Sequence, residues 1–181
     1  MEEVLIVVDM QKDFVDGTLG TKEAVGILEN VVSKISTFQG MIFATLDTHP
    51  ENYLETAEGK KLPVPHCIKD TQGWQLDEKV QHALSEKNYK LIEKNTFGST
   101  GLVEEIRKLR EKEEIEVEMI GLCTDICVVS NALLLKAHFP EMGIAVDASC
   151  CAGVTPKTHE AALETMRMCQ IDIREYRPGG A

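Results

Sequence analysis

The sequence has no long apolar run, no closely paired cysteines and a deficit of positive charge, and each absence removes a class of protein. Its longest apolar stretches, around Val4 to Val8 and Cys127 to Leu135, fall far short of the ~20 residues that a membrane-spanning helix needs. Lys and Arg number 19 against 30 Asp and Glu in 181 residues, a formal net charge of -11. The basic side chains are scattered, which argues against the phosphate-neutralising surface on which nucleic-acid affinity depends. None of the 6 cysteines forms CxxC, and Cys123 and Cys127 are the pair that stands four apart. A zinc ribbon or a thioredoxin-like redox pair is therefore unsupported, and most of the thiols read as free, small core residues. The start, MEEVLIVVDMQKDF, carries two acids where an export signal carries basic residues. The expectation is a cytoplasmic protein of one domain, 1–181, with a core large enough to fold without staples.

What is present is a regular alternation of strand-like and helix-like periodicities, the pattern of a parallel sheet covered by helices. Strands are predicted at Val4–Val8, Met41–Leu46, Leu91–Lys94, Ile115–Gly121, Gly143–Val146 and Ile171–Ile173. Helices are predicted at Thr21–Phe38, with Val25, Leu28, Val32 and Ile35 on its apolar face, and at Leu76–Leu84, Gly101–Glu113, Cys127–His138 and Pro156–Met168. The Cys127–His138 segment is apolar nearly all round, so it is expected to be buried. Residues 47–73 form a long irregular stretch, which inside a compact domain points to function or disorder. The Arg177–Ala181 tail is expected to fray. The fold class is α/β, with six strands.

In an open parallel sheet, ligands bind beyond the carboxyl ends of the strands. Those ends carry Asp9, then Asp47 and His49, then Lys94, then the Cys123–Cys127 segment. Two constellations follow. Asp9, Lys94 and Cys127 could form an activated thiol: Cys127 in the first turn of a helix capped by Thr124 or Asp125, where the helix dipole and the Lys94 ammonium favour a thiolate, with Asp9 to carry the proton. The plainer reading of Cys127 is a buried helix residue, and the charge of Asp125 works against a thiolate. The second set, Asp47, His49, Glu58 and His66, offers oxygen and imidazole ligands without thiols, a donor set for catalytic zinc, manganese or iron rather than a structural zinc finger. Its plainer reading is a His49-Pro50 turn and a surface histidine. Cys67 reads as packing.

Taken together, LIVVDMQKDF, TLDTHPENY, PHC, IEKNTFGS and GLCTDICVVSNALLLKA, in that order over the first three quarters of the chain, resemble the nicotinamidase group of the isochorismatase-like cysteine hydrolases. The resemblance implies a three-layer α/β/α sandwich around a six-stranded, mostly parallel sheet. Position by position, Asp9, Lys94 and Cys127 resemble the catalytic triad. Asp47, His49 and His66 resemble the ligands of a divalent metal ion, with Glu58 resembling a fourth, more variable one. A cis peptide at Leu122-Cys123 or its neighbour is implied, with the backbone N–H groups of Cys123 and Cys127 as an oxyanion hole. The implied reaction is hydrolysis of nicotinamide to nicotinate and ammonia through a Cys127 thioester, with the metal holding the pyridine nitrogen and the water positioned by Asp9 or bound at the metal.

The chain departs from that pattern at Leu62-Pro63-Val64-Pro65-His66, where an apolar wall replaces the aromatic residue and proline common ahead of the metal-binding histidine. Phe14, Phe97 and Trp74 are the remaining candidates to stack on a substrate, and Phe14 and Phe97 read equally well as core. The same triad could serve another small amide, ureide or carbamoyl compound. A non-catalytic metal-binding protein would be favoured by a broken triad, and no triad position is missing. The apolar helix after Cys127 and the resemblance both suggest a homo-oligomer.

Overall fold

Residues 2–175 are described by a computed structural model, so the Arg177–Ala181 tail lies outside the described residues. The first apolar run forms strand β1, Glu2–Val8, and its side chains alternate between two cores. Val4, Ile6 and Val8 enter one, and Leu5 and Val7 enter the other. A strand buried on both faces has no use for alternating polar residues, which is why its sequence is continuously apolar. The other strands are β2 (Met41–Asp47), β3 (Tyr89–Lys94), β4 (Ile115–Leu122), β5 (Ile144–Ala152) and β6 (Asp172–Arg174). They form one sheet in the order β3-β2-β1-β4-β5-β6, and every pairing is parallel rather than mostly so.

The helices are α1 (Lys12–Val15), α2 (Lys22–Thr37), α3 (Ala57–Lys61), α4 (Glu78–Ser85), α5 (Thr100–Arg110), α6 (Val129–His138) and α7 (Pro156–Met168). Helices α2 and α4 cover the Leu5 face and α5, α6 and α7 the Val4 face, giving the three layers. The buried stripe of α2 is Ala24, Leu28, Val31 and Ile35, while Val25 is exposed and Val32 only half-buried. Leu28 and Ile35 lie on the predicted face, while Ala24 and Val31 take the buried places expected for Val25 and Val32. Helix α6 is less buried than its composition suggested: Leu133 and Leu134 are half-covered and Ala137 is exposed. Strand β5 runs six residues beyond its predicted end, past Asp147 and Ser149. Those polar residues broke the apolar pattern, but Asp147 is buried against Lys34 of α2, which also reaches Glu118 of β4 at 2.7 Å.

The chain crosses from β1 outward to β2 and β3, then returns to place β4 on the other side of β1. That reversal opens a crevice beyond the carboxyl ends of β1 and β4. Close approach of these strands requires Gly121, at φ +115, because a Cβ there would lie 2.2 Å from the Val8 carbonyl oxygen.

Candidate active site

At the carboxyl end of β1 the backbone turns sharply at Asp9, which adopts φ 46, a conformation Asp tolerates better than most residues. The Asp9 N–H donates to the Thr45 carbonyl and hydroxyl, both at 3.2 Å, and the Thr45 hydroxyl donates to Asp9 Oδ1 at 2.6 Å. With the backbone pinned, Asp9 Oδ2 meets Lys94 Nζ at 2.6 Å. Lys94 is the last residue of β3 and stands in register with Asp47, the last of β2, so its ammonium also lies 3.3 Å from Asp47 Oδ1. Its third neighbour is Cys127 Sγ at 3.4 Å. Three residues far apart in sequence thus meet around one ammonium, all nearly inaccessible to water.

Burial alone would lower the Lys94 pKa, but Asp9, the Cys127 sulfur and Asp47 outweigh it, and Lys94 is held as an ammonium well above its ordinary value. Burial pushes the Asp9 carboxyl up, with Asp47 adding to the push and Lys94 opposing it. Burial likewise drives the Cys127 thiol well above its ordinary value, reinforced by Asp9 and relieved in part by Lys94. Burial and Asp9 thus work against the thiolate expected from the sequence, and Lys94 works for it. The cap prediction fails for the same segment. Residues Thr124–Val128 form a π-helical turn ahead of α6, and the residue preceding it, Cys123, contributes no side-chain cap. Thr124 Oγ1 instead bonds His159 Nδ1 at 2.8 Å, and the Asp125 carboxylate accepts the Val154 N–H at 3.1 and 3.2 Å. The cis peptide lies at Leu122-Cys123, immediately before this turn.

Beside the triad, one ligand atom from each of Asp47, His49, Glu58 and His66 lies within 4.8 Å of the others. Asp47 Oδ2 is 2.9 Å from His49 Nε2 and 3.7 Å from His66 Nε2, and Glu58 Oε1 is 3.8 Å from each nitrogen. Bonds of about 2.1 Å to one ion place neighbouring ligands roughly 3.0–3.4 Å apart, so small side-chain adjustments suffice to close the set on a metal. His66 Nδ1 faces the Val64 carbonyl at 2.8 Å; as the donor there it leaves Nε2 free to ligate. Burial pushes the Asp47 carboxyl up, but the hydrogen bond with His49 and the nearby His66 ring, with the Lys94 charge, outweigh it and hold Asp47 well below the usual carboxylate range. These donors fit a divalent cation.

Cys127 and the four donors open on one cleft of about 670 Å³, whose walls include Phe14, Leu62, Phe97 and Cys123, while Asp9 and Lys94 are buried behind it. Phe14 and Phe97 both face it, Phe97 with 44% of its surface exposed. Trp74 does not: its indole N–H donates to Thr48 Oγ1 at 2.8 Å and its ring packs on the core beneath α2 and α4. Of the apolar wall read at residues 62–65, Leu62 alone lines the cleft.

Matched against family models, residues 3–175 correspond to the Isochorismatase domain. The chain belongs to the isochorismatase family. Within this family the chain is 32% identical over 143 residues to the isochorismatase family protein PncA of Bacillus subtilis, covering 74% of this chain and 78% of that one. The fold superimposes on a crystal structure of a nicotinamidase/pyrazinamidase from Bacillus subtilis with a TM-score of 0.83 at 26% identity, covering 97% of this chain and 100% of that one. A Pyrococcus horikoshii pyrazinamidase solved in complex with zinc gives a TM-score of 0.78 at 28% identity, again over 97% and 100% of the two chains.

Three contributors escaped the reading of this isochorismatase-family sequence. Thr45 holds Asp9, and its signal was one hydroxyl inside an otherwise apolar strand. Gln11 is fully buried, and its amide accepts the Asp47 N–H at 2.8 Å while donating to the Asp47 carbonyl at 2.8 Å, so it fixes the backbone of a ligand residue. Tyr53 packs its ring 4.8 Å from that of His49 and 5.0 Å from that of His66, and donates its hydroxyl to the Leu62 carbonyl. Nothing in a single sequence marks Gln11 as a neighbour of Asp47 or Tyr53 as a neighbour of those histidines.

Proposed function

We propose that the protein hydrolyses nicotinamide to nicotinate and ammonia through a covalent intermediate on Cys127. The observation that carries this reading is the single buried ammonium of Lys94, in contact with Asp9 and with two residues that line the cleft, Cys127 and the metal-type donor Asp47. The family's solved members, among them nicotinamidase/pyrazinamidases of matching fold, support the substrate.

The chemistry follows from the charges. Asp9, made more basic by burial, takes the thiol proton as sulfur attacks the amide carbon, and Lys94 compensates the charge that develops on sulfur. The carbonyl oxygen gains negative charge, for which we assign the backbone N–H groups of Cys123 and Cys127 as donors. Collapse breaks the C–N bond, and the proton held by Asp9 leaves with ammonia. Water deprotonated by Asp9 then attacks the thioester, the C–S bond breaks, and the thiol is restored from Asp9. Phe14 and Phe97 are assigned as the ring-contacting walls. Asp47, His49, Glu58 and His66 would hold a zinc, manganese or iron ion, which when bound supplies a Lewis-acidic anchor for the pyridine nitrogen.

The same reading treats 1–181 as one catalytic domain, working in the cytoplasm as a homo-oligomer on a diffusible small amide. Among the described residues no helix is long and apolar enough to cross a membrane. Incubation of metal-analysed protein with nicotinamide tests the proposal. Stoichiometric ammonia and nicotinate are expected from the wild type and none from Cys127→Ala with the same metal content; retained turnover in that variant would dismiss the covalent route.

A further inference from the structure

Outside the triad and the donor set, one buried polar side chain joins two walls of the cleft. Asn131, the third residue of α6, is 1% exposed, and its amide makes three hydrogen bonds to backbone. Its Nδ2 donates to the Cys127 carbonyl at 2.8 Å and to the Phe97 carbonyl at 3.2 Å, and its Oδ1 accepts the Ser99 N–H at 2.9 Å. The first bond is local, reaching back four residues to the π-helical turn that carries the nucleophile. The other two cross to the segment that follows Lys94 and carries Phe97. That segment leads directly into α5, whose first turn is capped by Ser99 Oγ accepting the Leu102 N–H at 3.0 Å. It also rests closely on α6: a Cβ added at Gly98 would stand 3.3 Å from Leu134 Cδ2 and 3.5 Å from the Ser130 carbonyl oxygen.

Phe97 itself lines the cleft with 44% of its surface exposed, and among the described residues no other ring stacks on it. Its position is set by its backbone. The backbone is in turn set by the Asn131 amide, which spends both N–H groups and its oxygen on this junction. A buried amide satisfied in this way is rigid, because turning it would leave donors and an acceptor unpaired.

We propose that Asn131 is a positioning residue that fixes the Phe97 wall of the cleft at a set distance from the Cys127 turn, and so governs how tightly the substrate ring is held against the nucleophile. The proposal rests on the hydrolase reading for its kinetic consequence but not for its structural one. Two variants separate the local bond from the crossing bonds. Asn131→Thr keeps a hydroxyl able to bond the carbonyl four residues back in the helix, but cannot reach Phe97 or Ser99. Asn131→Ala loses all three bonds.

With nicotinamide as substrate, Asn131→Thr is expected to raise KM about tenfold with kcat within about threefold of wild type, the pattern of lost substrate positioning. Asn131→Ala is expected to raise KM similarly and also to lower kcat, with a changed rate of Cys127 alkylation by iodoacetamide that Asn131→Thr does not share. Amide hydrogen exchange over residues 95–99 is expected to quicken in both variants at temperatures where both remain folded. A wild-type KM and wild-type exchange in Asn131→Thr would overturn the proposal. So would equal losses in the two variants that track a fall in melting temperature. Should the wild type leave nicotinamide untouched, the substrate reading fails alone, and exchange over residues 95–99 still decides the role of Asn131.

Discussion

At the scale of single residues, reactivity is set by what is buried beside what. Asp9 is fully buried, and its carboxyl is raised by burial more than Lys94 lowers it. A base in that condition must lose its proton before it can accept one from Cys127, so kcat/KM should fall on acidification with a midpoint above the roughly 3.9 of a free aspartate. A pH–rate profile checks this, and Asp9→Asn should reduce kcat/KM by about 10²–10⁴-fold on the plateau above that midpoint while removing the acid limb. Asp9 was legible as a strand-end residue because it directly follows an apolar run; Lys94 ends a predicted strand, and Cys127 opens the apolar helix that follows another. The protonation state of Cys127 was not legible, since it depends on enclosure by Asp9 and Asp47, which no local pattern expresses.

At the scale of elements, the irregular stretch between β2 and α4 is organised around the donor set. It holds a 3₁₀ turn at Tyr53–Glu55, α3, and a bridge between His49 and Ile68, with little regular hydrogen bonding to keep it in place. Three of the four donors, His49, Glu58 and His66, lie on it. A metal that binds the folded arrangement and not the unfolded chain stabilises by mass action. Removal of metal by a chelator is therefore expected to lower the melting temperature and to speed hydrogen exchange over residues 49–67, leaving β1 and β4 protected; exchange mass spectrometry with and without the ion measures both regions. The sequence exposed this segment as a long loop rich in ligand types, but not its short helices, which are too brief to show periodicity. Helix α2 presents the reverse case: its period was plain, and half of its face was displaced by one residue because a small alanine counts little in an apolar pattern, yet Ala24 is buried where Val25 is not.

At the scale of the whole molecule, the parallel sheet divides its labour along the strands. The carboxyl ends hold the chemistry, and farther back in the sheet Lys34 joins Glu118 and the fully buried Asp147, tying α2 to β4 and β5. Removing one partner from a buried charge cluster leaves the others uncompensated. Lys34→Met should thus destabilise the protein by about 2–4 kcal/mol in urea unfolding while leaving KM for nicotinamide unchanged. The strand count and the alternation of strand and helix could be read before any coordinates, because two-sided burial writes itself as continuous apolar runs. The strand order could not, and it is the order, with β4 returning beside β1, that brings Asp9 and Cys127 together. The most direct measurement is acid quench of the metal-loaded protein during turnover of nicotinamide, followed by mass spectrometry of the peptide that carries Cys127. A nicotinoyl thioester on that cysteine is predicted; sustained turnover with Cys127 never modified would contradict the account.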